Sequence, residues 1–229
     1  MGRMKRVVVP GLPHHITQRG NHAEDVFDLE GDRLVYLSMI RKAAERRGVR
    51  IWAYCLMTNH VHLIAVPSKK DSLSLLVKDA HTAYAAWFHK RSARTGHLWQ
   101  ARFRASVMDE PYLWAAVRYV ERNPVRAGLV ARSEDYAWSS AAAHCDIRDD
   151  LLVTRAFPIA GVVSDWKAWL ADEDVAASSE VRQMTRLGLP CGNGSFIQEL
   201  ERVLGRPVRP NPPKPRGRRP KNQPSAKLT

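Results

Sequence analysis

The sequence is poor in cysteine and has no long hydrophobic run, and each absence excludes a class of protein. The three cysteines, Cys55, Cys145 and Cys191, are widely spaced and outside any Cys-x-x-Cys pattern, which argues against a disulfide framework or a zinc ribbon. No apolar run approaches the roughly 18 residues of a membrane-spanning helix, and the basic N-terminus lacks the apolar segment of a signal peptide. We therefore expect buried thiols and a cytoplasmic location.

Acidic residues are scarce relative to basic ones. The chain of 229 residues carries 23 Asp and Glu against 36 Lys and Arg, a net charge of +13. Such a charge predicts a polyanionic partner, and in a chain without a spanning segment nucleic acid is favoured over a membrane surface. The length predicts one main domain with a sizeable core.

Hydrophobic periodicity predicts a βαββαβ order followed by one more helix. Strand-like runs with turn signals at their ends lie at residues 14–20, 49–57, 60–66 and 99–108. Apolar residues at helical spacing lie at residues 32–47, 72–91 and 110–123. Two helices packed on one face of an antiparallel sheet form the ferredoxin-like arrangement, an α+β class. The other sheet face would then be free for chemistry, with the last helix following the fourth strand.

The patterns weaken beyond Asp135. Helical segments are indicated at residues 166–171, 178–187 and 195–204, which predicts a helical appendage at 146–205 after a catalytic domain at 1–145. The last segment, 206–229, has eight Lys or Arg, seven Pro and no acid, so we expect a disordered tail. Its basic residues Arg216 and Arg218 are candidates for a nonspecific DNA-binding arm.

Two histidines of the third predicted strand are the first candidate site. His60 and His62 are separated by one residue, so a strand places both imidazoles on the same face. A divalent metal would satisfy both rings within an otherwise apolar strand. Two alternatives stay open: the rings are hydrogen-bonded structural histidines, or they belong to a histidine-triad nucleotide hydrolase. The longer pattern of that family has a third histidine where this chain has Ile64.

The helix after the fourth strand carries the second candidate set. Tyr119 and Asn123 are four residues apart and therefore share a helix face, and Arg118, Arg122 and Arg126 repeat at the same spacing as a phosphate-binding stripe. Tyr119 can also be read as a core aromatic residue. Asn123 can be read as the N-cap of a one-turn helix that ends at Gly128.

Several motifs taken together resemble a known family. They are His60-Val-His62, Tyr119-Val-Glu-Arg-Asn-Pro-Val-Arg-Ala-Gly-Leu129, Asp135-Tyr-Ala-Trp-Ser-Ser140, Pro13-His-His-Ile-Thr-Gln-Arg-Gly-Asn21 and Gly96-His-Leu-Trp-Gln-Ala-Arg-Phe103. Over about residues 5 to 145 the chain is similar to the single-tyrosine HUH transposases of bacteria, and among them to the REP-associated tyrosine transposases. The resemblance implies a ferredoxin-like fold.

The resemblance also implies roles for the candidate residues. His60, His62 and Asn123 would bind Mg²⁺ or Mn²⁺, and Tyr119 would be the nucleophile. A tyrosine hydroxyl has a pKa near 10, so the metal must make the phosphodiester more electrophilic. The implied product is a 5′-phosphotyrosine with a free 3′-OH, which permits rejoining without ATP. The chain has no Gly-x-x-x-x-Gly-Lys phosphate loop, as such a reaction would predict.

One departure from the family lies between Tyr119 and Asn123. Many relatives carry a histidine in this segment, whereas here Val120, Glu121 and Arg122 fill it. Glu121 is either a further metal ligand or lies on the opposite helix face.

Rings and cations that alternate near the fourth strand are candidates for DNA binding. Stacking and phosphate neutralisation suit single-stranded DNA, although Phe103 can also be read as a core residue. The candidates are Trp99, Arg102, Phe103 and Arg104, with Arg19 and Asn21 at the end of the first strand.

The leading hypothesis is a metal-dependent endonuclease and transesterase that cleaves and rejoins single-stranded DNA at or near hairpin repeats. The alternative is a catalytically silent protein that binds hairpin DNA on the same scaffold. We expect a monomer or a homodimer, in which Tyr119 acts within its own chain or in the partner's site.

Overall fold

The computed structural model describes residues 6–154, 158 and 162–209, which contain one four-stranded antiparallel sheet. The strands are β1 (His14–Arg19), β2 (Val49–Met57), β3 (His60–Pro67) and β4 (Arg104–Val107). Their order across the sheet is β2-β3-β1-β4, with every pairing antiparallel. Helix α1 (Glu30–Arg47) joins β1 to β2, and α2 (Ser72–Ser92) joins β3 to β4. The predicted α+β class and βαββαβ order are confirmed.

The main core lies between the sheet and the helices α1 and α2. Ile16, Tyr36, Ile40, Leu63 and Tyr84 are fully buried there. Strand residues of this core alternate along β1 and β3, as a half-buried sheet requires. The predicted end of α1 is also correct: Gly48 follows it in the left-handed conformation, where a Cβ would come within 2.4 Å of the Ser68 hydroxyl.

The opposite sheet face is covered, so the prediction of a free face is wrong. Helices α3 (Glu110–Glu121) and α7 (Val175–Leu187) pack on it and form a second core. The physical reason is visible in β2 and β3, which are apolar on both faces, with Cys55 and Ile64 pointing towards α3. Cys55 and Cys191 are buried and Cys145 is half-buried, and all three are free thiols.

Strand β4 is shorter than predicted. Its regular pairing covers Arg104–Val107, whereas residues 100–103 bulge away from β1 and Trp99 makes an isolated bridge to Gly20. The Gln18 side-chain amide takes the place of ladder hydrogen bonds by donating to the carbonyls of Gln100 and Ala101, at 2.9 and 3.3 Å. Ala101 also has a positive φ of 51°, which a regular strand cannot include.

Further helices follow α3 in the described part of the chain. They are α4 (Asn123–Arg126), α5 (Ala141–His144), α6 (Trp166–Ala171), α7 and α8 (Gly194–Leu204), so the three helical segments predicted beyond Asp135 are confirmed. Of these helices, α4 and α7 pack against the sheet. Helix α7 begins at Val175 because Asp174 caps it, accepting a hydrogen bond from the Ala177 amide. The division of the chain at residue 145 stays a prediction.

The basic tail begins later than predicted. Val208 is completely buried beside Val107, Ile197 and Leu200, and its amide donates to Glu201 at 3.1 Å. Residues 206–209 are therefore packed, which corrects the prediction of disorder for them. Arg216 and Arg218 lie outside the described residues. Within the described ranges, no helix is both long and apolar enough to cross a membrane.

Candidate active site

His60 and His62 lie side by side on the face of β3 that α3 and α7 cover. Pairing with β1 puts Arg19 opposite His60 and Thr17 opposite His62. The two ring centroids are 4.9 Å apart, and His62 is only 4% exposed. The Nδ1 atom of His60 lies 2.7 Å from the Asn59 side-chain oxygen, which leaves its Nε2 atom pointing elsewhere. The sequence-based expectation that both rings share one space agrees with this geometry.

A third histidine, which the sequence analysis did not single out, joins the pair. His15 of β1 is 1% exposed, and its Nε2 atom lies 2.8 Å from Nδ1 of His62. Its Nδ1 atom lies 2.8 Å from the hydroxyl oxygen of Thr185 on α7. The adjacent His14 points away and hydrogen-bonds to the Leu12 carbonyl. The one sequence signal for His15 is the alternation of side chains along β1, which places His15, and not His14, on the same face as Thr17.

Tyr119 of α3 lies against these rings within the same chain. Its ring centroid is 5.7 Å from that of His62 and 5.7 Å from that of His15, in edge-on geometry. The side chain is 7% exposed, and burial raises the pKa of Tyr119 although the positive charge of Arg126 opposes that shift. The Arg126 guanidinium lies 4.2 Å from the ring centroid. The tyrosine is thus both shielded from solvent and beside a cation.

Asn123 connects the end of α3 to Arg126. Its amide nitrogen donates to the carbonyls of Tyr119 and Val120, at 3.0 and 3.3 Å, and its side-chain oxygen accepts from Arg126 at 2.9 Å. The reading of Asn123 as an N-cap is wrong, because its side chain satisfies the C-terminal carbonyls of α3 and does not cap α4. Its oxygen is held by Arg126.

The predicted arginine stripe does not form one surface, because α6 covers two of its three members. Arg122 donates to the carbonyls of Leu170 and Ala171 and pairs with Glu173 at 3.3 Å. Arg118 packs over the Trp169 ring at 4.4 Å and pairs with Asp172 at 3.5 Å. Arg122 is therefore a structural residue that caps the end of α6. Of the three, Arg126 is the one that reaches the tyrosine.

The two aromatic residues proposed to stack on DNA bases are packed in the protein. Trp99 stacks on His81 with ring centroids 4.2 Å apart, and Phe103 is 7% exposed with the Arg6 guanidinium 3.5 Å above its ring. Phe103 belongs to the main core, so stacking of Phe103 on bases is contradicted, whereas Trp99 is half-buried against that core and its stacking on bases stays a prediction.

The polar candidates near these rings have a different placement. Arg19, Arg102 and Arg104 are exposed, and Asn21 is half-buried in the turn after β1. Arg19 pairs with His60 across the ladder, and Arg104 pairs with Thr17. Both arginines therefore lie on the sheet face that carries the histidines.

Glu121 points away from His60 and His62 and is completely buried. It accepts hydrogen bonds from the Ser140 hydroxyl and from His144, the latter at 2.7 Å. Burial disfavours the charged form of His144, but the attraction of Glu121 raises the pKa of His144 overall. Glu121 therefore ties α3 to α5, and the reading as a further metal ligand is not supported.

The donor chemistry of the histidine pair fits a divalent metal ion. Burial, together with the charge of Arg19, lowers the pKa of His60 to about 4, and burial also lowers the pKa of His62. Both rings are therefore neutral at neutral pH, as metal ligands must be. The Nε2 atom of His62 is buried and has no hydrogen-bond partner among residues 6–154, 158 and 162–209.

A metal here would need donors besides His, Cys and carboxylate. In the part of the chain that the structure describes, no three such side chains converge on one point. The third imidazole of the cluster, His15, faces His62 rather than the space between His60 and His62. Amide, water or phosphate oxygens would complete the coordination, and these are the ligands that Mg²⁺ and Mn²⁺ prefer.

The buried histidines predict a stability that depends on pH. Burial lowers the pKa of His14 to about 4 and that of His81 to about 3, against about 6.5 in the unfolded chain. The unfolded state therefore binds more protons below pH 6.5, so the free energy of unfolding should fall as the pH drops from 6.5 towards 4. Each such histidine should contribute a slope approaching about 1.4 kcal/mol per pH unit. Urea titrations between pH 7 and 5 measure this slope.

The variant His81→Gln provides the matched control for that slope. Glutamine does not titrate, so the variant should lose the share of one histidine, although it also loses the contact with Tyr36. An unchanged slope in the variant would contradict the burial of a neutral His81.

The fold and the site together define an α+β protein with a buried cluster of histidines and a tyrosine on one face of an antiparallel sheet. The family model of IS200-like transposases matches residues 8–123, just over half of the 229 residues. The chain therefore belongs to the IS200-like transposase family, which gives it a role in DNA transposition.

Two solved structures are similar to this chain. One is a REP-associated tyrosine transposase bound to a REP hairpin, with 19% identity, a TM-score of 0.54, and coverage of 69% of this chain and 99% of that one. Another is a candidate transposase from Deinococcus radiodurans R1, with 19% identity, a TM-score of 0.38, and coverage of 53% and 97%. The first supports the fold assignment. No curated protein matches the chain.

Proposed function

We propose that the protein is a metal-dependent transesterase that cleaves and rejoins single-stranded DNA through Tyr119. The observation that carries the proposal is the contact of Tyr119, within one chain, with His62 and Arg126. A hydroxyl, a neutral imidazole with a free nitrogen and a cation are the groups that phosphoryl transfer to tyrosine requires. Membership in the IS200-like transposases supports DNA as the substrate.

The reaction exchanges one phosphodiester for another. The Tyr119 oxygen attacks the phosphorus, the bond from phosphorus to the 3′ oxygen breaks, and a 5′-phosphotyrosine forms. The phenolic proton passes to water, the departing 3′ oxygen takes a proton from water, and the strand ends as a free 3′-OH. The reverse attack by a 3′-OH rejoins the strand with no net change in bond type. Burial of Tyr119 makes the phenolate costly, so charge stabilisation by Arg126 matters at this step.

His60 and His62 are the residues that would hold Mg²⁺ or Mn²⁺. When bound, the metal polarises a non-bridging phosphate oxygen and makes the phosphorus more electrophilic. Asn123 is the third ligand that the family resemblance implies, and its oxygen is held by Arg126 at 2.9 Å. A DNA phosphate is the natural competing partner for Arg126, and its arrival would release the Asn123 oxygen.

Arg19 and Arg104 are the residues best placed to receive the DNA backbone. Both are exposed at the edge of the face that carries the histidines, whereas Phe103 is a core residue and Trp99 is half-buried against the core. Phosphate contacts position a nucleic acid without reading its sequence. The hairpin present in the similar REP-associated transposase structure supports a hairpin as the DNA form recognised here.

The catalytically silent alternative has less support. A protein that had kept only DNA binding would have no need for a buried tyrosine beside neutral histidines. The histidine-triad alternative is also disfavoured, because Ile64 is packed in the second core and the family match is to transposases.

Formation of a covalent adduct tests the proposal. The full chain is incubated with hairpin oligonucleotides taken from repeats that flank its gene, with Mn²⁺ or with EDTA. We expect a protein–DNA band that persists in denaturant with Mn²⁺ and disappears with EDTA. Hairpin binding without any adduct under both conditions would instead indicate the silent binder.

A further inference from the structure

Arg182 of helix α7 is an exposed cation that the fold does not use. With residues 6–154, 158 and 162–209 it makes no hydrogen bond and no ion pair. An arginine offers five N–H donors in a rigid fork that matches the oxygens of a phosphate. These donors are therefore available to an anion from outside the chain.

The packing of α7 places Arg182 at the edge of the site that holds Tyr119. Val181, the preceding residue, is 1% exposed and belongs to the second core, as does Tyr119. One turn later, the Thr185 hydroxyl oxygen lies 2.8 Å from Nδ1 of His15, whose ring is in edge contact with the Tyr119 ring. Successive residues of a helix are about 100° apart, so Arg182 lies where this buried helix face meets solvent.

Arg126 reaches the same tyrosine from α4. This arginine is also exposed, and its guanidinium lies 4.2 Å from the centroid of the Tyr119 ring. It donates to the Asn123 side-chain oxygen at 2.9 Å and to the Tyr119 carbonyl at 3.2 Å, both of which are neutral acceptors. In the part of the chain that the structure describes, Arg126 forms no ion pair with a carboxylate. Its charge is thus open to a second partner.

The two arginines act on the same tyrosine and on each other. Burial raises the pKa of Tyr119, and the charges of Arg126 and Arg182 oppose that shift. Partial burial lowers the pKa of Arg126, and the charge of Arg182 adds to this effect although Tyr119 and Glu173 oppose it. An anion bound by both guanidinium groups would remove their mutual repulsion, and a phosphodiester offers two non-bridging oxygens for this purpose.

We propose that Arg126 and Arg182 together bind the DNA phosphate that Tyr119 attacks. The two guanidinium groups donate to its non-bridging oxygens and stabilise the negative charge that grows there as the tyrosine oxygen approaches. These contacts add to the backbone contacts of Arg19 and Arg104. The inference rests on the proposed function in taking Tyr119 as the residue that meets the phosphate.

The proposal makes the C-terminal part of the chain a component of the active site. The match to the family model ends at residue 123, whereas Arg182 lies on α7, which packs on α3, β4 and β1. The sequence pattern does not single out this residue, because an arginine beside the apolar face of a helix is typical of any solvated surface. Only the docking of α7 on α3 brings it to the tyrosine.

The decisive variant is Arg182→Gln, which removes the charge of a side chain without partners in the described ranges and should leave the fold intact. Arg182→Lys keeps the charge and is the conservative variant. Arg186→Gln is the matched control, because it removes an exposed arginine one turn further along α7, and the charge of Arg186 does not shift the pKa of Tyr119. Arg126→Gln is less informative, since it also loses the contact with Asn123.

Two measurements use the full-length protein and the hairpin oligonucleotides of the adduct assay. Hairpin binding in EDTA gives the slope of log affinity against log salt concentration, and the adduct rate at saturating DNA with Mn²⁺ reports the chemical step. We expect Arg182→Gln to reduce the slope by about one unit and the adduct rate by at least about tenfold. Arg182→Lys should keep the slope and most of the rate, and Arg186→Gln should match the wild type in both.

Two results would overturn the inference. One is a wild-type adduct rate in Arg182→Gln, because even a reduced slope would then mean that Arg182 contacts another phosphate of the strand. The other is an equal loss of rate in Arg182→Gln and Arg186→Gln, which would indicate only a general attraction to DNA. A wild-type protein that forms no adduct would contradict the proposed function instead. The arginine site would then stand or fall on the slope in EDTA, which requires no catalysis.

Discussion

Replacement of Tyr119 by phenylalanine should abolish the covalent adduct and reduce strand cleavage by at least about a thousandfold, the scale expected for removal of a nucleophile. The substitution removes one oxygen and leaves the ring. The contacts of the ring with His15, His62 and Arg126 should therefore persist. The measurement is the denaturant-stable band formed with labelled hairpin DNA and Mn²⁺.

Tyr112→Phe is the matched control for this variant. Tyr112 lies on the same helix and is half-buried, but it does not contact the histidines. The control should form the adduct at the wild-type level. Hairpin affinity should be unchanged in both variants. The thermal unfolding midpoint should be unchanged in Tyr119→Phe and slightly lower in Tyr112→Phe, which loses a hydrogen bond to Glu180. An adduct formed by Tyr119→Phe would show that another residue is the nucleophile.

Replacement of His62 by alanine should reduce Mn²⁺-dependent cleavage by at least about 100-fold. Loss of an outer partner of a histidine ligand already costs 10- to 100-fold in metal affinity, and loss of the ligand itself should cost no less. Hairpin affinity should stay within about twofold of wild type, because the imidazole is buried and phosphate contacts dominate DNA binding. Calorimetric Mn²⁺ titration and hairpin gel shifts measure the two effects separately.

Arg19→Ala is the reciprocal control. Arg19 is exposed and lies opposite His60 in the β1–β3 pairing. Its loss should weaken hairpin binding and should reduce the slope of log affinity against log salt concentration by about one unit. Its Mn²⁺ affinity should not fall. If His62→Ala cleaved DNA normally in Mn²⁺, the histidine pair would not be the metal site.

Periodicity alone predicted most of the fold. Each strand and long helix up to residue 121 has a strong period of its own, and the turns that separate them carry Gly, Pro or Asn. The prediction that the second sheet face is free is wrong because it assumed that β2 and β3 are apolar on one face only. Their residues are apolar on both faces, and Cys55 and Ile64 required a cover that α3 and α7 supply.

The candidate site was only partly predictable. His60 and His62 are two residues apart in a strand, and Tyr119 and Asn123 are four residues apart at the end of a helix. Local spacing therefore predicts that the members of each pair lie on the same face. His15 and Thr185 meet His62 through strand register and the docking of a distant helix, which no local pattern encodes. The arginine stripe failed for the same reason, since α6 lies over Arg118 and Arg122.

For the aromatic residues near the fourth strand, the local sequence did not predict which side chains are exposed. Rings that alternate with cations suit DNA binding, but Phe103 is a core residue and Trp99 is half-buried against the core, whereas Arg102 and Arg104 are exposed. The carbonyls of Gln100 and Ala101 in this segment accept hydrogen bonds from the Gln18 side chain, which belongs to another strand. That partner could not be read from the segment itself.

Peptide mass spectrometry of the trapped adduct tests the central claim most directly. The wild-type adduct is digested with nuclease and then with trypsin, and the peptide that carries the residual nucleotide is sequenced. We predict a 5′-phosphonucleotide on Tyr119, in the peptide that ends at Arg122. A nucleotide on any other residue, or no modified peptide under conditions where the DNA is cut, would contradict the account.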